Sequence, residues 1–591
     1  MIKIVTGMLL ACLGGNVYAQ QKATLILFNA HVITLDSNIN NASAVAVNDG
    51  KIIAVGSNEQ VLKLKKKQTT VIDAKGKTLI PGLYDSHLHV IRGGRFFNLE
   101  LRWDGVTTLK RALTMLKEQA LRTPQGQWVR VVGGWNAFQF EEKRLPTLQE
   151  INDATGNVPT FILHLYGHAY VNKAGLKALK IDSNTPNTNG GLIEKDATGE
   201  PTGLLVAEPN AFILYSTLAR LPVLDVAGEI NSTQVFMQEM NRLGVTSIMD
   251  AGGGFQNYPD DYRIMDTLAK MGKLTVRIPY YLFAQKGGKE LEDYNRWMAM
   301  VDIEHQHFDG HHTGTEYFVE GGGENLVSSA ADFENFDKPR PELSPAMEKQ
   351  LKEVITLLVK RRWPFRLHAT YNESITRFLN VIEEVNKDYP LAGINWFFDH
   401  AETVSDENLQ RIKRLGGGIA IQHRMAYQGE SFVIRYGKTA ALQTPPVTKM
   451  LAMGIKVGGG TDGTRVASYN PWIGIYWLTT GRTIGGLQLY NKNNVDRITA
   501  LKIYTQGSAS LIQQDNEKGK IATGYVADFA LLNQNILTVT DDEIKNTSSL
   551  LTILNGIVVY GTNEFETYST PAIKALPAWS PVNSYGGYQY K

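Results

Sequence analysis

Two histidines, His87 and His89, stand two positions apart at the end of an apolar run in this 591-residue chain. Alternate residues of a β-strand point to the same face, so Asp85, His87 and His89 should project together. Two imidazoles on one face can bind a single metal ion. On its own the pair is a weak signal, because two polar residues at a strand end need no metal. It gains weight from further candidate ligands elsewhere in the chain.

These further candidates lie at the ends or mouths of later strand-like runs, and they are Glu316, His368, His400 and Asp462. Four imidazoles and two carboxylates suit Zn²⁺ or a similar divalent ion, one or two in number. A bound cation lowers the pKa of its water towards neutrality. A carboxylate beside that water can pass the proton to a leaving group. Asp462, in the glycine-rich segment 458–463, is the candidate for that task, so the pattern predicts metal-assisted hydrolysis.

The composition is that of a globular protein with little net charge. Hydrophobic residues make up 43% and charged residues 20% of the chain, and the formal net charge is +2. This balance gives no electrostatic basis for a nucleic-acid partner. A small molecule is therefore the expected partner, and no apolar run is long enough to predict a membrane span.

The first 19 residues are typical of a secretory signal, with Lys3 before an apolar run and a cleavage point after Ala19. We therefore expect a secreted or periplasmic protein. Cys12, the only cysteine of the chain, lies in this segment and leaves a lipoprotein signal open as an alternative. Cleavage after Ala19 gives a mature chain without cysteine, so any metal must be held by His, Asp or Glu.

Short β-like runs occur near both ends of the chain, in residues 20–78 and 511–565. The first part contains a hairpin signal, Asn48-Asp49-Gly50, between two of its runs. Neither part has enough strands for a sound core, so we expect the two to pair into one small β domain. An uncovered sheet edge in this domain could pair between two chains, which leaves a homodimer open.

The middle of the chain, residues 79–510, alternates strand-like and helix-like segments. Eight strands joined by helical crossovers predict a parallel (β/α)8 barrel, an α/β fold. Residues 91–243 make the first connection oversized, and we expect them to form an insertion over the barrel mouth. Residues 566–591 are expected to be an irregular tail. The predicted strands are Thr78–Val90, Gly244–Ala251, Leu274–Phe283, Thr315–Glu320, Trp363–His368, Ile394–His400, Gly417–His423 and Ile455–Thr461.

Several short motifs look like those of a known family. They are residues 81–89 in the first strand, residues 133–136, 167–172 and 199–205 in the insertion, and the later segments His368-Ala369, Asp399-His400-Ala401 and Gly460-Thr461-Asp462. On these motifs the chain, from about residue 23 to about residue 562, resembles the amidohydrolase superfamily. The resemblance is strongest to its YtcJ-like branch, which contains N-substituted formamide deformylase.

The resemblance implies a (β/α)8 barrel, a split β-sandwich and metal-dependent hydrolysis, usually of C–N bonds. Asp462 would be both a metal ligand and the catalytic base. His168, on the insertion, would be a second catalytic residue that polarises a substrate carbonyl, although a loop-anchoring role is an equal alternative. The implied metal ligands besides Asp462 are His87, His89, His368 and His400.

Three positions depart from the family pattern. The strand-4 position is commonly a carboxylated lysine that bridges two metals, but here it is Glu316, already a carboxylate, with Lys286 as a weaker rival. Asn372 stands where an aspartate often follows the strand-5 histidine, and Tyr166 stands where an aspartate is common. The candidate substrate-binding residues are Trp135, Gln422 and Asn372. Because the changes fall around the pocket, we expect the substrate to differ from that of better-known members.

The leading hypothesis is an exported metal-dependent amidohydrolase that cleaves an amide-like C–N bond of a small molecule. The same site could instead cleave an ester, a lactone or a cyclic C–N bond, and assays on formamides, N-acyl amino acids and lactones would separate these substrates. A non-catalytic binding protein with the same fold is the alternative from another class. Metal analysis combined with hydrolysis assays would distinguish it from an enzyme.

Overall fold

The computed structural model describes residues 22–208, 210–301, 317–333 and 336–589. The predicted signal segment, with Cys12, and the candidate ligand Glu316 lie outside these residues. Within the described part, an eight-stranded parallel sheet is accompanied by one six-stranded sheet and by two smaller sheets.

The first described segment forms six short strands and one short helix, α1 (Asn58–Leu62). Asp49 and Gly50 take positive φ angles of 47° and 72° between the third and fourth strands, as a two-residue hairpin requires. The predicted hairpin is therefore present. The strands are β1 (Leu25–Phe28), β2 (His31–Val32), β3 (Ala44–Asn48), β4 (Lys51–Gly56), β5 (Thr70–Asp73) and β6 (Thr78–Pro81).

The predicted first barrel strand, residues 78–90, is in fact two strands. After β6 the chain passes through Gly82, and the barrel strand β7 (Leu83–Leu88) begins at the next residue. The Gly82 N–H donates to the Asp528 carbonyl at 2.9 Å. A Cβ at Gly82 would lie 2.2 Å from Thr246 Oγ1, so only glycine lets the chain cross between the two sheets here.

An inserted domain follows β7 and the barrel helix α2 (Val90–Phe96). Side chains alternate across its sheet: Phe161 and Leu163 pack on one face, and Ile162 packs on the other. Its strands are β8 (Glu100–Leu101), β9 (Val129–Val132), β10 (Thr160–His164), β11 (His168–Val171), β12 (Leu192–Lys195) and β13 (Pro201–Val206), in the sheet order β12-β13-β11-β10-β9-β8. Its helices are α3 (Leu109–Arg122), α4 (Leu148–Thr155), α5 (Lys173–Leu179) and α6 (Phe212–Leu218).

The chain returns to the barrel through α7 (Val226–Arg242). Seven further strands join β7 in one parallel sheet with the order β7 and then β14 to β20, so the predicted (β/α)8 fold class is confirmed. These strands are β14 (Val245–Asp250), β15 (Ile278–Leu282), β16 (Tyr317–Gly322), β17 (Phe365–Ala369), β18 (Trp396–His400), β19 (Gly418–Gln422) and β20 (Lys456–Gly460).

Helices cover the outside of this sheet, as βαβ crossovers require. The helices α10 (Met347–Lys360) and α11 (Asn372–Asp388) pack against each other through apolar residues such as Leu351 and Phe378, which belong to the large barrel core. The helices of this region are α8 (Arg263–Lys270), α9 (Glu290–Met300), α10 (Met347–Lys360), α11 (Asn372–Asp388), α12 (Asp406–Arg414), α13 (Arg424–Tyr436), α14 (Lys438–Ala441), α15 (Val447–Ala452), α16 (Pro471–Thr480), α17 (Arg497–Lys502) and α18 (Ser508–Leu511).

Hydrogen bonds bring the first and last barrel strands together at their carboxyl ends. The Asp462 N–H donates to the His87 carbonyl at 2.7 Å. The Thr461 hydroxyl donates to the Asp85 carboxylate at 2.6 Å. Burial raises the pKa of Asp85 to about 6, against the opposing effect of the Thr461 hydrogen bond. Asp85 therefore acts within the barrel wall, where it fixes the loop that carries Asp462.

Both ends of the chain build the second domain, a β-sandwich. Its C-terminal strands are β21 (Phe529–Leu532), β22 (Ser549–Leu554) and β23 (Ile557–Gly561). One sheet has the order β4-β3-β1-β5, and the other has the order β2-β6-β21-β22-β23. β6 and β21 are antiparallel, with Ile80 opposite Ala530. Leu27 and Val45 of the first sheet share a core with Leu531 of the second, so the two ends complete one sandwich.

The tail after residue 562 has little regular structure beyond a 3-10 turn and the short helix α19 (Val582–Tyr585). The Ser580 hydroxyl donates to the Asn98 carbonyl at 2.6 Å. Gln119 Nε2, on α3, donates to the Trp579 carbonyl at 3.0 Å. The Tyr588 N–H donates to Glu239 of α7 at 2.9 Å. The tail thus connects the inserted domain to the barrel.

Candidate metal centre and active site

Four histidines meet at the carboxyl ends of the barrel strands. His87 lies on β7, His368 on β17 and His400 on β18, and His89 immediately precedes α2. The ring centroid of His87 is 5.3 Å from that of His89 and 5.2 Å from that of His400, and the His368 and His400 centroids are 4.2 Å apart. All four side chains are buried. The barrel therefore gathers four predicted ligands into one small space.

Glu324 is the carboxylate that lies among these rings. Its Oε2 is 3.4 Å from His87 Nε2, 3.3 Å from His368 Nδ1 and 3.7 Å from His400 Nε2. Its Oε1 is 3.7 Å from His89 Nε2. Two groupings able to hold an ion, His87–His89–Glu324 and Glu324–His368–His400, share this one side chain.

Sequence reasoning missed Glu324. It follows β16 after Gly323, in a loop, whereas the candidate Glu316 precedes β16 and lies outside the described residues, so its role stays a prediction. A usable signal was present, because Glu324 follows the glycine run 321–323 much as Asp462 follows the glycine run 458–460. Lys286, the weaker rival, is exposed on the surface.

A buried ion-pair network orients His87. Its Nδ1 lies 2.8 Å from Asp399 Oδ1, which leaves Nε2 directed at Glu324. Arg366 Nε donates to Asp399 Oδ2 at 2.8 Å, and the same guanidinium lies over the ring of Phe397 at 4.8 Å. Burial alone would raise the pKa of Asp399, but Arg366 and then His87 lower it to about 2. Asp399 thus stays ionised and holds the ring.

Backbone and hydroxyl groups orient the other rings. His89 Nδ1 lies 2.5 Å from the Gly252 carbonyl, so its Nε2 faces the centre. His368 Nε2 lies 3.2 Å from the Thr370 hydroxyl, so its Nδ1 faces Glu324. His87, His89 and His368 therefore each present one nitrogen to the centre and have the other nitrogen held from behind, which is the usual arrangement of metal-binding histidines.

Asp462 completes the centre from the loop after β20. Its Oδ1 lies 3.1 Å from His89 Nε2 and 3.5 Å from His87 Nε2. Its Oδ2 forms an ion pair with Arg424 at the start of α13. Burial would raise the pKa of Asp462, but Arg424 and His87 hold it well below its ordinary value. One oxygen of an ionised carboxylate thus faces the centre, and Arg424, which sequence reasoning did not identify, fixes the other.

The predicted substrate-binding residues make structural contacts of their own. Trp135 is fully buried in the inserted domain, where its Nε1 donates to the Leu163 carbonyl at 3.0 Å. Asn372 Oδ1 accepts from the Ser405 N–H at 2.8 Å and so ties α11 to α12. Gln422 is buried at the end of β19, with its Nε2 bonded to the Ala420 carbonyl. These contacts explain the three residues structurally, and their roles in substrate binding stay predictions.

His168 begins β11 and faces His164 across the strand pair, with ring centroids 4.7 Å apart. Burial lowers the pKa of His168 to about 4, so the ring is neutral at pH 7. Tyr166, two residues earlier, lines the cavity described next and stacks on Phe333 at 5.8 Å. Tyr166, at the position where the family commonly has an aspartate, therefore faces the cavity. The catalytic role of His168 stays a prediction.

A cavity of about 470 Å³ opens above the histidine cluster. His89 and Glu324 lie in its wall, next to aromatic side chains of the inserted domain and of the strand-end loops. The aromatic members are Tyr166, Phe212, Tyr215, Phe255, Phe283 and Phe333. A small molecule in this cavity would contact both the metal-ligating groups and a largely aromatic surface.

Residues 70–560 match the amidohydrolase family. The chain belongs to the amidohydrolase family. YtcJ of Bacillus subtilis (strain 168) is 26% identical over 90% of this chain and 98% of its own length. N-substituted formamide deformylase of Arthrobacter pascens is 26% identical over 91% of this chain and 99% of its own length. This member of the family is accordingly an enzyme, a hydrolase of carbon–nitrogen bonds other than peptide bonds.

Solved structures share the fold at lower sequence identity. An uncharacterized metal-dependent hydrolase from Pyrococcus horikoshii OT3 has a TM-score of 0.61 and 19% identity, covering 88% of this chain and 99% of that chain. Atrazine chlorohydrolase TrzN from Arthrobacter aurescens TC1, solved in complex with zinc, has a TM-score of 0.50 and 14% identity, covering 92% of this chain and 97% of that chain.

No helix within the described ranges combines the length and the apolarity that a bilayer crossing needs.

Proposed function

We propose that this amidohydrolase is an exported, metal-dependent enzyme that hydrolyses an amide-like C–N bond of a small molecule. The observation that carries the proposal is the position of Glu324, within 3.7 Å of all four inward-facing imidazole nitrogens. A buried carboxylate surrounded by four imidazoles, three of which are held from behind by hydrogen bonds, is a donor set that suits divalent cations.

The donor set fits two ions that share Glu324. One site would use His87, His89 and Asp462, and the other would use His368 and His400. Zn²⁺ is the proposed metal, because imidazole and carboxylate ligands suit it and the similar TrzN structure contains zinc. When bound, such a cation would lower the pKa of a coordinated water and polarise a substrate carbonyl.

Asp462 is the proposed catalytic base. Its Oδ1 faces the centre, where it can take a proton from the attacking water and later deliver that proton to the leaving nitrogen. Arg424 holds Oδ2 and keeps the carboxylate ionised, so Oδ1 is available in the correct orientation. His168 is neutral at pH 7 and is proposed as a second catalytic residue that donates a hydrogen bond to the substrate carbonyl.

Export is proposed from the apolar segment at residues 1–19, with cleavage after Ala19 and a periplasmic or secreted product. A homodimer that pairs an open sheet edge of the sandwich is proposed as the assembly. Fractionation of cells that produce the full chain, followed by N-terminal sequencing of the product, tests the first point. Light scattering of the purified protein tests the second.

Elemental analysis and a substrate panel test the enzymatic proposal. We expect the mature protein to bind about two equivalents of metal, as the shared carboxylate implies, and to hydrolyse formamides or N-acyl amino acids in a way that a chelator abolishes. Preferential cleavage of lactones or esters would reassign the bond. A protein that binds no metal and shows no hydrolysis after Zn²⁺ or Mn²⁺ addition would overturn the proposal in favour of a binding protein.

The variant Asp462→Asn examines the base assignment. It removes the proton acceptor but keeps an oxygen towards the centre, so kcat should fall by about 10²- to 10⁴-fold with metal content largely retained. Steady-state kinetics and elemental analysis of the same preparation measure both quantities. Full activity in this variant would refute the role of Asp462.

A further inference from the structure

One guanidinium in the wall of the cavity forms no ion pair with a described residue, although the Asp250 carboxylate is close enough to attract it. Arg92, on α2, lines the cavity together with His89 and Glu324. A Cβ placed on Gly253 would lie 2.8 Å from Arg92 Nη1 and 3.4 Å from His89 Nδ1, so the guanidinium sits beside a metal-ligating ring. Because Gly253 has no side chain, the Arg92 guanidinium can lie at this position next to His89.

The hydrogen bonds of Arg92 are incomplete. Its Nη1 donates to the Gly254 carbonyl only at 3.5 Å, and its Nε is buried without a hydrogen-bond partner. The nearby Asp250 carboxylate is occupied, since it accepts from the Ile91 and Gly252 N–H groups, each at 2.9 Å. Leaving a buried charged donor without partners costs free energy, so this arrangement favours an added acceptor.

The second cation in the cavity wall is different. Lys338 forms an ion pair with Glu208 at 2.8 Å, and its charge is therefore compensated. This contrast identifies Arg92, and not Lys338, as the unsatisfied positive group that faces the cavity.

A further guanidinium adds positive charge behind the same wall. Arg465 is 92% buried and lies 5.0 Å above the ring of Tyr215, which lines the cavity. No ion pair is found for Arg465 in the part of the chain that the structure describes. Burial and then repulsion from Arg92 lower its pKa to about 9. Arg92 and Arg465 are thus close enough to repel each other, which adds to the positive potential at Arg92.

We propose that the substrate carries a carboxylate that binds Arg92, and that its apolar part packs on the aromatic wall. A guanidinium and a carboxylate make charge-assisted hydrogen bonds of the strongest kind found in proteins. Tyr166, Phe255 and Phe333 form apolar contacts for the rest of the molecule. The preferred class is thus an N-acyl amino acid with an aromatic or large apolar side chain. This inference rests on the proposed function and narrows its substrate class.

A matched pair of probes isolates the carboxylate. N-acetylphenylalanine and its carboxamide differ by one charge and keep the same scissile bond. For the metal-loaded wild-type protein, we expect kcat/KM to be about 10- to 100-fold higher for the acid than for the carboxamide. The variant Arg92→Met should abolish this preference, and Arg92→Lys should retain part of it. Lys338→Met, which removes the compensated cation, should leave the ratio unchanged.

Calorimetric binding of the two probes to the metal-loaded protein gives a readout that does not require turnover. Tighter binding of the acid that Arg92→Met removes supports recognition of the carboxylate even if neither probe is hydrolysed, and the proposed function is then decided by the formamides and other amides of the substrate panel. Melting temperature and metal content show whether each variant is folded and loaded with metal. If Arg92→Met is not folded or not loaded, Arg92→Lys takes its place in the binding comparison.

Three outcomes would overturn the inference and leave the proposed function standing. The first is equal binding and hydrolysis of acid and carboxamide by the wild-type protein. The second is an Arg92→Met variant that loses rate equally on both probes, because that result would assign Arg92 to the developing oxyanion. The third is tighter binding of phenyl phosphate than of N-acetylphenylalanine, because phosphate, and not carboxylate, would then be the recognised group.

Discussion

Glu324 reaches the centre from a loop position, where the alternation of side chains along a strand does not predict the direction of the side chain. β16 ends at Gly322, and Glu324 follows in the loop, where the period of two no longer sets the direction of a side chain. Its carboxylate still lies 3.3 Å from His368 Nδ1 and 3.4 Å from His87 Nε2. The two halves of the centre are therefore joined by a residue that only the folded loop places there.

The variant Glu324→Gln should lose its metal. A neutral amide cannot supply the negative charge that both groupings of imidazoles share, so metal affinity should fall by more than the roughly 10- to 100-fold typical of residues one shell further out. Elemental analysis after dialysis against a weak chelator measures the loss. Glu316→Gln is the matched control and should retain wild-type metal. Loss of metal in Glu316→Gln, with metal retained in Glu324→Gln, would instead assign the bridging role to Glu316.

Three of the predicted ligands that the fold brings together, His87, His368 and His400, stand at the carboxyl ends of parallel strands, and parallel topology alone brings such ends to one rim. His89 and Asp462 lie just beyond a strand end and reach the same place from the segment that follows. The position of Asn372 in a motif predicts a substrate contact, which stays a prediction, and the fold adds that its side chain ties two helices together. Side-chain direction in a loop or at a helix start depends on packing with distant elements, which a single sequence does not encode visibly.

The turn after β9 shows how closely the inserted domain approaches the centre. Gly133 has φ +66°, and a Cβ there would lie 2.2 Å from both Arg465 Cα and the Thr464 carbonyl oxygen. Backbone therefore packs directly on backbone in the loop that follows Asp462. The motif 133–136 was recognised in the sequence, but its reason, a close approach of two domains, was visible only in the fold.

The variant Gly133→Ala should separate these two loops. Positive φ and a backbone collision together should cost about 2–5 kcal/mol of unfolding free energy, and kcat/KM should fall because Asp462 is displaced. Gly126→Ala is the matched control, since Gly126 has φ +82° but no atom within 4 Å of its Cβ position. It should cost about 1–2 kcal/mol and leave kcat/KM unchanged. Equal effects of both substitutions would refute the role of the contact.

The strand pair β10–β11 should make stability depend on pH. Burial lowers the pKa of His168 to about 4 and holds that of His164 well below its ordinary value of about 6.5. Between pH 6.5 and 4 the unfolded chain binds more protons at these positions than the folded chain does. The stability that these histidines contribute is therefore present above pH 6.5 and is lost as the pH falls towards 4.

The double variant His164→Gln, His168→Gln tests this dependence. Its unfolding free energy, measured in urea without metal, should decline less steeply from pH 7 to pH 4 than that of the wild-type protein. The metal-ligating histidines titrate in both proteins, so the difference between the two slopes isolates the pair. Parallel slopes would mean that these two rings do not titrate differently on folding.

At the level of the complete fold, the tail determines how firmly the inserted domain is held. Hydrogen bonds join Ser580 to the segment after α2 and Trp579 to α3. A third hydrogen bond joins Tyr588 to α7. Gly105 also packs on the Gln589 carbonyl oxygen, which would lie 2.1 Å from a Cβ at that glycine. Because the inserted domain supplies part of the cavity wall, its attachment affects the substrate site from a distance.

Removal of residues 571–591 should loosen the inserted domain while the barrel stays folded. We expect faster amide hydrogen exchange in α3 and β8, a higher KM and an unchanged metal content, since no ligand lies in the tail. A chain that lacks only residues 590 and 591 is the control, because it keeps every tail contact described above. Unaltered exchange in the shorter protein would show that the domain interface is sufficient without the tail.

The pairing of β6 with β21 also has a consequence for biosynthesis. A ribosome makes β1–β6 first, but the sheet that contains β2 and β6 is complete only after β21, β22 and β23 have been made. Until then Leu27 and Val45 of the first sheet lack the part of their apolar cover that β21 and β22 supply. Chains cut short by a premature stop codon would expose this surface to chaperones and proteases. Cells should therefore accumulate the full-length product and clear nonsense fragments, even those that contain the whole barrel.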